Sequence, residues 1–272
     1  MDIDIRSSIF MTTLTTLSPD THRPEFDGFP MVGIAIDYPD QYHVAPHQHQ
    51  KAQLLYALSG VMVVGSALGQ WVVPPSRGLW LPAHCQHWIR MVGEVKVRTI
   101  FMPSEQTTEM PAACCVLNIS SLLRELIICT LNIPQDYSVA SKQGRLIQVL
   151  IDELRPAPVL PMHLPSAQRP RIQQICNHIL QQPDQSLTAT QWARHFHVHP
   201  KTIHRQFMQE TGMTIGEWRQ QAKLLIAMEM LAKGQKILDI ALDLGYGSPS
   251  AFTAMFKKQL GIVPSAFFAI DH

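Results

Sequence analysis

Apolar residues follow two different periods along this chain. Up to about residue 103 they come in short runs, "AQLLYALSG", "VMVVGSA", "QWVVPPS", "GLWLPA" and "VKVRTIFMP", punctuated by glycine and proline at the spacing of an all-β barrel or sandwich. The period then changes. In "SSLLRELIICTL" and "GRLIQVLIDELR" apolar residues recur three and four positions apart, which predicts amphipathic helices whose apolar faces pack on the β unit or on a second subunit. "RPAPVLPMHLP", residues 155–165, has four prolines in eleven positions. Proline fixes φ and removes a backbone donor, so no regular element is expected there and the stretch reads as an interdomain linker.

Beyond the linker the pattern is helical throughout. Thr188 with Gln191 and Thr214 with Glu217 have the spacing of capping boxes, marking two helix starts. Pro200 and Pro249 suit first helical turns, with Ser248 a good N-cap before one and His199 a poorer cap before the other. Gly234, after "LLIAMEMLAK", predicts a left-handed terminator of a long helix.

The chain's 272 residues suffice for two ordinary domains, and 46% apolar with 16% charged residues is a globular composition rather than a disordered one. No apolar run reaches the roughly 18 residues of a membrane span, and "MDIDIRSSIF" is acidic where a secretion signal carries positive charge, so a cytoplasmic protein without membrane contact is expected. Five cysteines, Cys85, Cys114, Cys115, Cys129 and Cys176, form no C-x-x-C pair, which predicts buried reduced thiols rather than a disulfide framework or thiolate zinc site. Residues 1–165 carry 11 Lys and Arg against 14 Asp and Glu, residues 166–272 carry 11 against 7, giving −3 and +4. The C-terminal part is thus the better polyanion binder.

That part also repeats itself. Laying "HPKTIHRQFMQETGMTIGEW" over "SPSAFTAMFKKQLGIVPSAF" matches Pro200 to Pro249, Ile203 to Phe252, Phe207 to Phe256, Gly212 to Gly261 and Trp218 to Phe267, at a constant offset of 49. In each copy a short helix containing an alanine, Ala193 or Ala241, precedes a turn and a second helix, which is the helix-turn-helix arrangement. With Ile203 and Phe207 turned inward, Lys201, His204 and Arg205 face outward with Thr202 at the edge. The second copy leaves Ser250, Thr253 and Ala254 outward, with Ser248 at the cap and Lys257 and Lys258 near the end. Arg and Lys donate to guanine edges or to phosphates, so the first copy is expected to supply base discrimination and the second mainly phosphate contacts. One continuous helix from about Ile215 to Lys233, about 28 Å long at 1.5 Å per residue, would hold the two motifs within reach of successive major-groove segments.

The stretches "ATQWARHFHVHPKTIHRQFMQETGMTIGEWRQQAKLLIAMEML" and "ILDIALDLGYGSPSAFTAMFKKQLGIVPSAF" resemble the DNA-binding domain of the AraC/XylS family of transcription regulators. The resemblance covers about the last 100 residues. It implies two helix-turn-helix units on a linker helix, promoter binding, and an effector-responsive N-terminal domain. His197 and His199 depart from it, since the family more often has Gly and Ser there.

In "HVAPHQHQKAQLLYALSG" strand alternation would turn His47, His49 and Gln53 to one face, with Gly60 ending a hairpin. "GLWLPAHCQHWIR" adds His87 from a neighbouring strand or turn. Together they resemble the two-motif signature of the cupin barrel, which implies His47, His49, Gln53 and His87 as a metal shell. Glutamine stands where metal-binding cupins usually have glutamate, and an amide oxygen is the weaker ligand. Three readings stay open: a polar effector pocket, a divalent metal that helps hold an effector, or catalysis. Catalysis would also need a general acid or base, and Asp37 and Asp40 lie before the first predicted strand at no diagnostic spacing. Trp71, Trp80, Trp88 and Tyr56 read as core or rim aromatics.

The expected architecture is α+β: an N-terminal arm over 1–30, a cupin-like sensor barrel over 31–110, a helical dimerisation region over 111–154, a linker over 155–166, and a DNA-binding domain over 167–272 with motifs at about 188–209 and 236–259. The function this implies is an effector-responsive transcription factor, not an enzyme. Its expected partners are double-stranded promoter DNA, a small-molecule effector and a second copy of the chain, with RNA polymerase a further one. "APHQHQKAQLLYALSGVMVV" and "VVPPSRGLWLPAHCQHWIRM" are similar to the nitroimidazole-exporter regulators within that family, which implies control of a neighbouring transporter gene. The rival reading is a cupin metalloenzyme with an appended helical interaction domain.

Overall fold

A computed structural model describes residues 31–134, 136–156 and 162–267, so the arm expected over 1–30 lies outside the described residues. Ten strands are described: β1 (Val32–Tyr38), β2 (His43–His47), β3 (Ala52–Ala57), β4 (Val61–Ser66), β5 (Gly69–Val73), β6 (Arg77–Leu81), β7 (His87–Val92), β8 (Val95–Met102), β9 (Cys115–Asn118) and β10 (His163–Pro165). They form two antiparallel five-stranded sheets, ordered β1-β8-β3-β6-β9 and β10-β5-β4-β7-β2. Among the described residues no ladder joins one sheet to the other. Gly60 (φ 73°) therefore turns the chain from β3 in one sheet to β4 in the other and closes no hairpin.

Alternating side chains build the layers. Leu55, Leu79, Val97 and Phe101 of the first sheet meet Met62, Val64, Ile89 and Met91 of the second in a shared core. The opposite face of the first sheet, with Leu54, Tyr56, Trp80 and Ile100, packs on α1 (Ser121–Thr130) and α2 (Lys142–Glu153) through Leu123, Ile127, Ile147 and Leu150. β3 is covered on both sides and buried at every position, which is why "AQLLYA" is apolar without alternation apart from the buried Gln53. Each fully buried Leu or Ile here contributes about 1.5–3 kcal/mol. Asp37 lies within β1 and Asp40 just after it, not ahead of the first strand, because β1 carried too little alternation to be read as one.

The remaining helices are α3 (Pro170–Gln181), α4 (Ala189–His195), α5 (Pro200–Thr211), α6 (Ile215–Ala232), α7 (Ile237–Asp243) and α8 (Pro249–Leu260). No helix among the described residues is long and apolar enough to cross a membrane. Both capping boxes form, at Thr188 and Thr214. His199 caps α5 with its ring, Nδ1 accepting the Lys201 N–H at 3.2 Å. Ala193 and Ala241 are buried where α4 meets α5 and α7 meets α8. The turn of the first pair puts His197 at φ 53° where the second has Gly245 at φ 71°. A Cβ on Gly245 would sit 2.8 Å from both Cα and O of Asp184, whereas the first turn already carries a side chain. Left-handed backbone costs an L-residue about 1–2 kcal/mol. Gly245→Ala is therefore expected to lower urea-unfolding stability by about 2 kcal/mol, and His197→Gly to raise it by up to about 1 kcal/mol. Equal effects of one sign would refute this account of the turns.

The proline-rich stretch is not free of regular structure. β10 adds to the edge of the second sheet, pairing His163 with Trp71 and Pro165 with Gly69. An edge strand tolerates proline because one row of its backbone groups needs no partner. Gly69 has no Cβ to collide with the Leu164 carbonyl oxygen, which would lie 2.3 Å away. The His163 ring stacks on Trp71 with centroids 4.4 Å apart. Burial lowers the His163 pKa from its ordinary 6.5, opposed in part by a hydrogen bond at the Leu68 backbone. The folded chain thus holds this imidazole neutral while the unfolded chain protonates it, so the stability it contributes is present above about pH 6.5 and lost as pH falls below it. Thermal midpoints measured between about pH 7.5 and 5.5 should fall less steeply for His163→Phe than for the native chain.

Candidate functional site

His47 ends β2 and His87 begins β7, directly opposite it in the ladder, while His49 lies in the loop to β3 and Gln53 within β3. The four come from both sheets and a loop rather than from one strand face. Ring centroids lie 4.3 Å apart for His47 and His87, 5.3 Å for His49 and His87, and 6.1 Å for His47 and His49. One ring nitrogen from each lies within 4.8 Å of those of the other two. His87 is 1% exposed and Gln53 2%, and Phe101 closes one side edge-on to His49 at 5.0 Å.

The proton positions follow from the partners. His47 Nδ1 lies 2.9 Å from the Ala45 carbonyl, His49 Nδ1 2.5 Å from that of Lys51, and His87 Nδ1 2.8 Å from that of Cys85. A carbonyl oxygen only accepts, so each Nδ1 carries a proton and donates it, and the neutral tautomer of each ring bears its lone pair on Nε2. Thr99 Oγ1 donates to the Leu54 carbonyl at 2.9 Å, so Gln53 must donate to Thr99 (2.8 Å), which turns Oε1 toward His49 Nε2 at 2.9 Å. Two acceptors facing each other require a proton or a cation between them. A cation about 2.1 Å from each ligand sets neighbouring ligands about 3.0–3.4 Å apart; the 2.9 Å between Gln53 Oε1 and His49 Nε2 falls just short of that, and the three rings, with one nitrogen each within 4.8 Å of the others, would close on the ion.

The two carboxylates weighed for catalysis are engaged elsewhere. Asp37 pairs with Arg98 at 2.9 Å. Asp40 accepts the Gly93 N–H at 2.7 Å, and that hydrogen bond holds its carboxyl below the usual range. The thiols are less buried than the sequence suggests: among the five only Cys176 is buried, and Cys129 is exposed.

At the other end of the chain, Ile203 and Phe207 of α5 point into the core while Lys201, His204 and Arg205 are exposed and Thr202 is partly so. On α8, Phe252 and Phe256 are buried, Ser250, Ala254, Lys257 and Lys258 are exposed, and Thr253 is half-buried. Ser248 Oγ accepts the Ala251 N–H at 3.2 Å, so that oxygen serves the cap. The 18 residues of α6 span about 27 Å between the two units.

Residues 192–270 match the helix-turn-helix domain model and residues 28–127 the AraC-like ligand binding domain model. The transcriptional regulator NimR of Escherichia coli (strain K12) is 35% identical over 223 residues, covering 82% of this chain and 81% of NimR. The chain belongs to the AraC family of transcriptional regulators. It is a DNA-binding regulator with a ligand-binding domain. The regulatory protein SoxS of Escherichia coli (strain K12) is 38% identical over 66 residues, 24% of this chain and 62% of SoxS. The crystal structure of ToxT from Vibrio cholerae aligns with a TM-score of 0.36 and 10% identity over 88% of this chain and 98% of that one.

In this AraC-family chain the two halves share a core. Val61, Val63, Val72 and Val92, on the outer face of the second sheet, belong to the same buried cluster as Leu224, Leu225 and Met228 of α6. Trp218 Nε1 donates to the Pro165 carbonyl at 3.0 Å, Gln221 donates to the His163 carbonyl, and Arg90 of β7 pairs with Glu229 of α6 at 2.7 Å. Lys223, 8% exposed, lies over the Tyr246 ring and is withdrawn from phosphate contact; burial, then Arg219, lowers its pKa. Sequence reasoning missed Thr99, Phe101, Arg90 and Glu229. Only the β3–β8 register brings the first two to the site, and no local signal ties residue 90 to residue 229.

Proposed function

We propose that His47, His49, His87 and Gln53 hold a divalent cation that forms part of the effector site, and that occupancy sets how this regulator grips its promoter. The observation that carries the reading is the common anchoring of all three Nδ1 atoms on backbone carbonyls, as second-shell partners do in metal sites, in three rings that each bring one nitrogen within 4.8 Å of the others, with the Gln53 oxygen 2.9 Å from His49 Nε2. The surrounding sheets act as a cupin-like barrel. β7 turns His87 inward and, three residues on, Arg90 outward to Glu229, so a shift of the strand on binding reaches the helix that carries both DNA-reading units. A ligand moves that equilibrium only by its differential affinity for the two arrangements.

On this reading α5 supplies base discrimination and α8 phosphate contacts, the protein works in the cytoplasm, and the target is a gene beside its own, a transporter by analogy with exporter regulators. The deciding experiment is metal analysis of the purified chain together with mobility shift of the DNA adjoining its gene, with and without chelator. Metal-free protein with chelator-indifferent DNA binding would remove the cation from the account.

Two copies on repeated half-sites would raise affinity through effective concentration. The contact is assigned to 118–154, where Leu122 (52% exposed) and Val149 (41% exposed) leave apolar surface uncovered. Sedimentation of the full chain at tens of micromolar should show a dimer, and Leu122→Glu with Val149→Glu should weaken it at least tenfold, roughly 1.4 kcal/mol. A native monomer at that concentration would discard this contact.

A further inference from the structure

Cys85 Sγ and Cys114 Sγ lie 3.3 Å apart, in contact but not bonded. Cys85 sits in the turn between β6 and β7, half-buried between the exposed His84 and Gln86, while Cys114 immediately precedes β9; both pack against the core between the sheets. Cys115 packs against the other face of the first sheet, beside α1 and α2, as strand alternation requires, so it does not compete for Cys85. Cys129 lies on the exposed side of α1 and Cys176 is buried in α3. Nothing in the reading of this chain as a DNA-binding regulator uses the pair.

We propose that Cys85 and Cys114 are a hydroperoxide-oxidisable dithiol that closes to an intramolecular disulfide. The sulfur of Cys85, a partly exposed residue on a surface turn, attacks one oxygen of a hydroperoxide as the thiolate. The O–O bond breaks, the leaving oxygen takes up a proton as alcohol or water, and Cys85 becomes a sulfenic acid. The Cys114 sulfur then attacks that sulfur, the S–O bond breaks, and the hydroxyl leaves as water with the thiol proton. Two thiols and one hydroperoxide thus give one disulfide, one alcohol or water, and one water. Closing from 3.3 Å to a bond of about 2.0 Å takes roughly an ångström of movement, within reach of a turn and a strand end.

The same turn holds the histidine centre. The Cys85 carbonyl accepts from His87 Nδ1, and His84, at φ 61°, donates its N–H to the His49 carbonyl at 2.9 Å. Pulling Cys85 toward Cys114 displaces the carbonyl that orients His87. This consequence rests on the proposed cation site; the disulfide does not.

The test uses the full chain carrying Cys129→Ser, to exclude bonds between molecules, treated with hydrogen peroxide in the presence of chelator. The expected result is a mass loss of about 2 Da, loss of two titratable thiols, and a cross-linked peptide that persists with Cys115→Ser and vanishes with Cys85→Ser or Cys114→Ser. In Cys114→Ser, Cys85 should run on to the sulfinic acid for want of a partner. Cysteines 85 and 114 that stay alkylatable after peroxide, or a bond mapped to Cys115 or Cys176, would overturn the proposal. Unchanged zinc affinity in the oxidised chain would overturn only its coupling to the histidines, and absence of zinc binding in the reduced chain would strike at the cation site instead.

Discussion

His87→Ala is expected to weaken zinc or nickel binding at least about 100-fold, some 2.7 kcal/mol or more. The ring is 1% exposed, lies 4.3 Å from His47 centroid to centroid, and is aimed by the Cys85 carbonyl, so its removal deletes a preoriented donor rather than a mobile surface group. The same substitution leaves a cavity in the shared core, so a lowered thermal midpoint alone would say nothing about metal. Gln53→Glu separates the two effects. A carboxylate is the stronger ligand, so metal should bind that variant about tenfold or more tightly, while without metal the buried charge, facing Thr99, should lower stability. In a pocket that only hydrogen-bonds an organic effector, the second variant would lose stability and gain nothing from metal. Isothermal titration and metal-dependent thermal shifts read both outcomes. Equal zinc affinity for the native chain and His87→Ala would end the proposal.

Arg205→Ala is expected to weaken operator binding by about 5- to 150-fold, the 1–3 kcal/mol of a well-placed bidentate base contact, and to relax sequence preference at one position of the site. The helix geometry makes Arg205 the candidate, because Ile203 and Phe207 fix the inward face of α5 and leave Arg205 exposed beside His204. Lys257→Ala should behave differently, weakening binding evenly across sequences and reducing the dependence on log salt by about one unit. Ser250 and Thr253 offer short neutral donors on the second unit, so their alanine variants should do less than Arg205→Ala. Footprinting and salt titrations on the same operator would compare all four. A greater loss of preference from Ser250→Ala or Thr253→Ala would reverse the division of labour between the two helices.

The helical half was legible because helix signals are local. A cap and its N3 partner lie three residues apart, apolar faces recur every three or four, and a duplication at an offset of 49 shows in the bare letters. The β half was legible only in part. β1 shows no strand signal because it is buried at nearly every position and lacks the alternation that marks a half-buried strand, while β2 ends at His47 and β3 starts at Ala52 where the letters read as one continuous strand. β10 was hidden by the proline-rich stretch it ends, whose Pro165 an edge strand accommodates. At the site the residue types were readable, but their supposed common strand was not there. Thr99 enters from 46 residues away and sets the orientation of the Gln53 amide, which decides whether an oxygen or an NH2 faces His49.

By itself the sequence determined the two helix-turn-helix units, their order, the helix between them and the residues they expose, because those properties depend on contacts within a few turns of chain. The tertiary structure alone decided where the three imidazoles meet, which nitrogen each presents, and that Arg90 reaches Glu229 across 139 residues. Pairings of that range are set by sheet register and by the packing of one layer on another, and neither is written in the local period of apolar residues.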